Sequence, residues 1–278
     1  MEALIIGLAA SWVMLDSWRV AEFAGTSRIA VLSYSDRNNA KWPRLASVLA
    51  SRRDAYCEKH GYTCVHATGR QLPARPKRAP HFEKVPAILA TLNDPRFDAV
   101  LYIDDDTVVT NDELMVESFL QTYSQDVILA RHDHPQRLKG KRPWWTATPN
   151  TGVVIYRNTQ WVKRLLNDML TNRRCTAFWK TAEKQHDPWS KWYHAGPMGK
   201  CHDQCCFAVL TEARQSRVGI VPMRMLQCST IFRKKNDHLR WAGTCENPLV
   251  LHAMSGTTAE KVKQLWTLVE VADRIRGK

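Results

Sequence analysis

The sequence predicts an α/β sandwich with a mostly parallel central sheet, and three features carry that expectation. Short apolar runs alternate with amphipathic stretches from residue 28 onward. Such strand–helix–strand units imply parallel pairing with right-handed crossovers. The run over residues 97–103 has no polar interruption after Asp98, as expected of a central strand covered on both faces. A hydrophobic fraction of 44% against 24% charged residues fits a packed body rather than disorder, and 278 residues suffice for one large domain with a short leader.

Residues 3–15 (ALIIGLAASWVML) form an uncharged apolar run closed by Asp16. The run is short for a membrane-spanning helix and closer to a signal-peptide core. Residues 1–25 are therefore read as a hydrophobic leader: a signal, a membrane anchor, or a docked helix. An anchor would place the protein in a Golgi or secretory-pathway membrane; otherwise the expectation is cytoplasmic. Residues 26–278 make up the domain.

Its first strand, IAVLSYS at 29–35, ends in small polar residues. A helix over 41–60 puts Leu45, Val48, Leu49 and Tyr56 on one face and stops at Gly61, the usual residue just past a helix end. A second strand covers 62–66, and the Pro-, Gly- and base-rich segment 69–80 is a loop. A helix over 82–92 leads into the central strand, followed by a helix over 112–122 and a strand over 127–130. Beyond a basic, Trp-containing loop (131–150) come a strand over 152–156 and a helix capped by Asn158. Residues 172–202 are polar and aromatic without periodicity, a long excursion of the functional or mobile kind. A helix from Asp203, short strands near Val218 and Ile231, a strand over 249–251 and a helix from Thr258 complete the chain.

A formal charge of +13 and a pI near 9.5 favour an acidic partner, which includes nucleotides, nucleic acids, anionic lipids and anionic glycans. The eight cysteines show no CxxC pair or zinc-finger spacing, which argues against a structural zinc site. Cys57 and Cys64 flank a helix-to-strand turn and fit either a bridge in an oxidising compartment or buried thiols. Cys201, Cys205 and Cys206 cluster around Asp203.

The chemistry concentrates at Asp104, Asp105 and Asp106. Three carboxylates at the end of a buried strand are costly unless a cation neutralises them. The carboxyl end of an open α/β sheet is also where ligands bind. Side chains at i and i+2 of an extended segment share a face, so Asp104 and Asp106 converge on one cation while Asp105 points away. Hard oxygen ligands suit Mn²⁺ or Mg²⁺ bridging a diphosphate. Two other classes fit less of the chain. The DxDx(T/V) pattern of haloacid-dehalogenase-type phosphatases would make Asp104 a nucleophile and Asp106 an acid/base. That class carries the motif on its first strand and needs a late acidic pair, whereas two strands precede Asp104 here and no such pair follows. A nucleic-acid-binding protein would use Arg70, Arg75, Lys77, Arg78 and the 131–142 loop. It leaves the three carboxylates without a reason, so no nucleic acid is expected.

The segment VLYIDDDTVV (100–109) resembles the DxD segment of GT-A fold glycosyltransferases. RDAYCEKHGY (53–62), HFEKVPAIL (81–89), NTGVVIYRN (150–158), Asp203-Gln204 and HAMSG (252–256) occur in the order of the retaining galactosyl-, mannosyl- and xylosyltransferase family. The resemblance spans residues 28–265 and implies a GT-A-type, Rossmann-like α/β/α sandwich. It further implies a nucleotide-diphosphate-sugar donor, a glycan or other hydroxyl acceptor, and Mn²⁺ (or Mg²⁺) held by Asp104, Asp106 and His252. Ser33 and Tyr34 would seat the nucleoside, and Lys84 and Asp105 would contact phosphate or ribose. Asn150 and Gly152 would lie close to the sugar, the loop at Ser255 and Gly256 would face phosphate oxygens, and Lys261 or Lys263 would approach the diphosphate. Asp203 and Gln204 would position or stabilise the reacting sugar. His132, Asp133 and His134 are candidates to line the same pocket, and Trp144, Trp145, Trp179, Trp189 and Trp192 candidates for an acceptor platform.

Overall fold

The computed structural model describes residues 18–21, 28–35, 42–72, 80–131, 149–172, 175, 203–232, 239–241, 248–253 and 258–276. The apolar run 3–15, His132, Asp133, His134, the five loop tryptophans, Ser255 and Gly256 lie outside them. Among the described residues no helix is long and apolar enough to cross a membrane.

The strands of the main sheet are β1 (Trp18–Ala21), β2 (Ile29–Ser35), β3 (Thr63–Thr68), β4 (Ala99–Asp104), β6 (Val127–Arg131), β7 (Pro149–Arg157) and β8 (Val218–Val221), with β5 (Thr107–Val109) reserved for a second sheet. Their order is β1-β3-β2-β4-β7-β6-β8. The registers run β2, β3, β4, β6 and β8 in one direction, with β1 and β7 opposed. The sheet is thus mixed and mostly parallel, and β4 has one parallel and one antiparallel neighbour. Residues 18–21, assigned to the leader from sequence, add an edge strand to it.

Alternation along β4 feeds two cores, as the pleat requires. Val100 and Tyr102 face α2 (Lys84–Asn93) and α4 (Gln160–Thr171), while Leu101 and Ile103 face α1 (Pro43–His60) and α3 (Val116–Thr122). Four of the five residues from Ala99 to Ile103 are fully buried and Tyr102 nearly so; each large side chain contributes about 1.5–3 kcal/mol. α1 ends as expected, with Gly61 in the left-handed region at φ 66°. Two boundaries differ from expectation. The helix expected over 112–122 begins only at Val116. The cap of α4 is Thr159, whose side chain accepts from the Val162 amide. Asn158 instead binds β4's entry, donating from its backbone to Asp98 O at 2.7 Å and from its side chain to Phe97 O at 2.6 Å.

Beyond β7 and α4 follow α5 (Asp203–Thr211), the one-turn α6 (Met223–Leu226), β9 (Gln227–Phe232), β10 (Leu239–Trp241), β11 (Val250–Ala253) and α7 (Thr258–Arg276). Strands β10-β9-β11-β5 form a second sheet, packed with α1 and α7 around Val108, Leu251 and Leu265. The sequence reading expects β9 and β11 as strands near Ile231 and over 249–251 but not β5 or β10, and so not a separate sheet; β5 is three residues long and directly follows the acidic triplet. Disulfides join Cys57 to Cys64, tying α1 to β3, and Cys175, four residues past the end of α4, to Cys206 of α5. Cys206 therefore pairs outside the 201–206 cluster.

Candidate active site

The chain passes from β2 to β3 on one side and then to β4 on the other side of β2. That reversal is a topological switch point, and the crevice outside the carboxyl ends of β2 and β4 is the expected ligand position in such a sheet. Both strands end there in polar residues: Ser33 and Ser35 on β2, and Asp104 at the end of β4 with Asp105 and Asp106 directly after it. Register pairs Tyr34 with Asp104, and the Ser35 hydroxyl donates to Asp105 Oδ2 at 2.7 Å.

The second sheet delivers the histidine. Antiparallel pairing of β5 with β11 sets Thr107 opposite His252, and the Ala253 amide donates to Asp106 O at 3.0 Å. His252 Nε2 consequently lies 3.0 Å from Asp106 Oδ1 and 4.0 Å from Asp104 Oδ2. The ligand atoms of Asp104, Asp106 and His252 all fall within 4.8 Å of one another, so the last residue of β4, one residue just past it and one from a strand far along the chain converge. Lys261 of α7 also pairs with Asp106. Burial works against the Asp106 carboxylate, but His252 and Lys261 outweigh it and hold the group well below the ordinary range.

Gly152 explains how these groups fit. A Cβ on it would stand 2.8 Å from Asp104 Oδ2 and 2.9 Å from His252 Nδ1. The bare backbone of β7 thus leaves the space that the two side chains occupy. Asn150, 2% exposed, fixes this strand entry by accepting the Gly152 amide at 2.8 Å.

Beneath the triplet lies a buried ionic cluster. Lys84 is 5% exposed, and its ammonium reaches Thr151 O at 2.9 Å, Asp203 Oδ2 at 2.9 Å and Asp104 Oδ1 at 3.3 Å. Burial disfavours its charge, yet Asp104 and Asp203 outweigh that and raise its pKa. Asp203, at the first position of α5, also accepts from Thr151 Oγ1 at 2.7 Å. Its carboxyl is pushed up by burial but held below the usual range by Lys84. The Tyr102 hydroxyl donates to Asp104 Oδ1 at 2.6 Å; burial and the Asp104 charge keep that phenol protonated. Asp104 thus has one oxygen anchored by Tyr102 and Lys84 and the other turned toward His252.

Of the remaining sequence candidates, Gln204 is half-buried beside Asp203. The Tyr34 hydroxyl donates to Gly69 O at 2.7 Å, and Ser33 Oγ lies 2.8 Å from His66 Nδ1. Lys263 is exposed on α7. The sequence reading missed Tyr102, Thr151, Arg53, Asp54 and His66. Tyr102 was recoverable, since it sits two residues before Asp104 on the same strand face; the others meet the site only through tertiary pairing. A second group, Asp54, Cys64 and His66, also has ligand atoms within 4.8 Å, but the Cys64 sulfur is committed to Cys57.

Residues 25–252 match the family model described as the galactosyl transferase GMA12/MNN10 family. Among solved structures, the chain is similar to a glycosyltransferase involved in glycosylation of the major capsid of PBCV-1. Identity is 18%, with 86% of this chain and 98% of that one covered, at a TM-score of 0.52. It is also similar to mouse xyloside xylosyltransferase 1 in its apo form, at 12% identity, 82% and 97% coverage and a TM-score of 0.46. No curated protein matches the chain.

Proposed function

The chain belongs to the galactosyl transferase GMA12/MNN10 family and is a glycosyltransferase, and from that premise we propose that it moves a sugar from a UDP- or GDP-sugar to a hydroxyl of a glycan acceptor. Transfer depends on a divalent ion, Mn²⁺ or Mg²⁺, bound by Asp104, Asp106 and His252. The observation that carries this reading is the convergence of those three side chains at the switch-point crevice. Two carboxylates and an imidazole are a donor set suited to such an ion, and Gly152 keeps the space open. When bound, the ion supplies positive charge where the diphosphate departs.

The chain's own groups do the rest. Tyr102 and Lys84 fix Asp104 so that its free oxygen faces the crevice. Lys261 brings an ammonium to the same edge, where it offsets charge on phosphate oxygens. Lys84 is a positioning residue: its three contacts are all within the protein, two of them with the carboxylates of Asp104 and Asp203. Asp203 is engaged by Lys84 and Thr151 and has a depressed pKa, which makes it a poor general base. That supports transfer with retention, in which the leaving phosphate takes the acceptor proton and Asp203, with Gln204, shapes the field around the sugar.

The test is a screen of UDP- and GDP-sugars for slow hydrolysis and transfer, with Mn²⁺ and after chelation, beside Asp104→Ala and Asp106→Ala. Metal-dependent turnover of one donor, lost in both variants, is the expected result. Cleavage of simple phosphate esters with no donor turnover would overturn the reading in favour of a phosphatase.

A further inference from the structure

Residues 54–66 bring four metal-ligating side chains to one place, away from the acidic triplet. Asp54 and Cys57 stand three residues apart on α1 and share a helix face, while Cys64 and His66 stand two apart on β3 and share a strand face. The Cys57–Cys64 bond shows that the two faces meet. The ligand atoms of Asp54, Cys64 and His66 all lie within 4.8 Å of one another, and the Cys57 sulfur is bonded to that of Cys64. Packing of helix on strand thus does what a short CxxC spacing does in a zinc finger, so cysteine spacing alone does not show the set.

A hydrogen-bonded relay orients the histidine. His66 Nε2 lies 2.7 Å from Asp54 Oδ1, and Nδ1 lies 2.8 Å from Ser33 Oγ on β2. In the disulfide form a neutral ring carries its proton on Nε2, because the carboxylate only accepts, and the Ser33 hydroxyl donates to Nδ1. A ring that binds a metal through Nε2 carries its proton on Nδ1 instead, and Ser33 is already placed to accept it. Histidines that hold metals are oriented by an outer partner of this kind. Cys57 and Cys64 are fully buried, whereas the side chains of Asp54 and His66 are 19% and 12% exposed. The group is therefore closed on its sulfur side and reachable past the carboxylate and the imidazole.

We propose that Asp54, Cys57, Cys64 and His66 form a zinc site when the Cys57–Cys64 bond is reduced. Two thiolates, an imidazole and a carboxylate make a tetrahedral set suited to Zn²⁺, softer than the set at Asp104, Asp106 and His252. A dithiol reductant converts the bond to two thiols and itself closes to a cyclic disulfide. Zn²⁺ then replaces the two thiol protons, which pass to solvent. Zinc–ligand distances of about 2.0–2.3 Å ask Asp54 Oδ1 and His66 Nε2 to part by only roughly half an ångström from their 2.7 Å separation. The link between α1 and β3 is kept in both redox states, by a covalent bond in one and by the ion in the other. This inference is independent of the sugar-transfer reading.

The experiment titrates the full chain with Co²⁺ and then Zn²⁺, before and after reduction by a water-soluble phosphine, which takes oxygen from water as the disulfide gains two hydrogens. The reduced wild type should show the near-ultraviolet absorption of cobalt–thiolate bonds and the visible bands of a tetrahedral ion, both erased by one equivalent of Zn²⁺; the oxidised protein should show neither. Cobalt held by Asp104, Asp106 and His252 has no thiolate, so it does not contribute that absorption. Cys64→Ser should lose most of it, and His66→Asn should lose the tetrahedral bands. Ser33→Ala, which removes only the outer partner of the ring, should weaken Zn²⁺ binding roughly 10–100-fold. Thermal melts of the wild type give a readout that needs no variant: Zn²⁺ should raise the melting temperature of the reduced protein more than that of the oxidised one. A reduced wild type without thiolate absorption, absorption unchanged in both Cys64→Ser and His66→Asn, or equal stabilisation by Zn²⁺ in the two redox states would overturn the proposal.

Discussion

Gly152→Ala adds one methyl group at a backbone position that touches both His252 and Asp104. Its Cβ would lie 2.8 Å from Asp104 Oδ2 and 2.9 Å from His252 Nδ1, and closer still to His252 Cε1. Ordinary contacts are about 3.5–4.0 Å, so the two side chains must retreat by more than roughly half an ångström. Gly152 is not among the positive-φ glycines, so the backbone itself accepts alanine. The cost is therefore one of overpacking, about 1–3 kcal/mol in the fold. The larger effect falls on function: shifts of about 1 Å in a reacting constellation cost on the order of 100-fold in rate. Isothermal titration with Mn²⁺ measures binding, donor turnover measures rate, and thermal melts show that the variant still folds. A Gly152→Ala protein that binds Mn²⁺ and turns over donor like the wild type would refute the close packing of Gly152 against these ligands.

Two further outcomes follow from the ionic cluster. Lys84→Met strands the carboxylates of Asp104 and Asp203 and should lower stability by about 3–5 kcal/mol in chemical unfolding; a loss under about 1 kcal/mol, typical of an exposed pair, would mean the lysine is not the buried link described. Asp203→Asn should lower stability at neutral pH, and the gap should close on acidification. The folded Asp203 carboxyl is depressed by Lys84, so its contribution is present above the unfolded value near 3.9 and lost as pH falls through the lower folded value. Unfolding curves from pH 7 to pH 3 that keep a constant gap would contradict this.

The fold was legible where a segment's own pattern was strong. β2, β4 and β7 read as apolar runs, and α1 announced its end at Gly61. What stayed hidden depended on pairing between distant segments. Thr107–Val109 is β-branched but only three residues long, too short to read as a strand by itself, yet its register with β11 is what seats His252 beside Asp106. The triplet pointed to a cation on local grounds, whereas His252 was reached only through resemblance. Lys84 looked like a surface helix residue available to phosphate, because the carboxylates that enclose it lie 20 and 119 positions away in the chain. That Gly152 also makes room for Asp104 and His252 depends on residues 48 and 100 positions away in the chain and is not written in its own segment. The Asp54–His66–Ser33 relay spans three elements, so no local spacing could have revealed it.

The most direct test of the central claim is pulsed electron paramagnetic resonance of the protein with one equivalent of Mn²⁺ and a nucleoside diphosphate. The expected result is one bound ion coupled to a nitrogen from His252, with the coupling absent in His252→Ala and binding abolished in Asp104→Ala and Asp106→Ala. An ion that binds without nitrogen coupling, or whose spectrum is unchanged in those variants, would contradict the assignment of Asp104, Asp106 and His252 as the metal site.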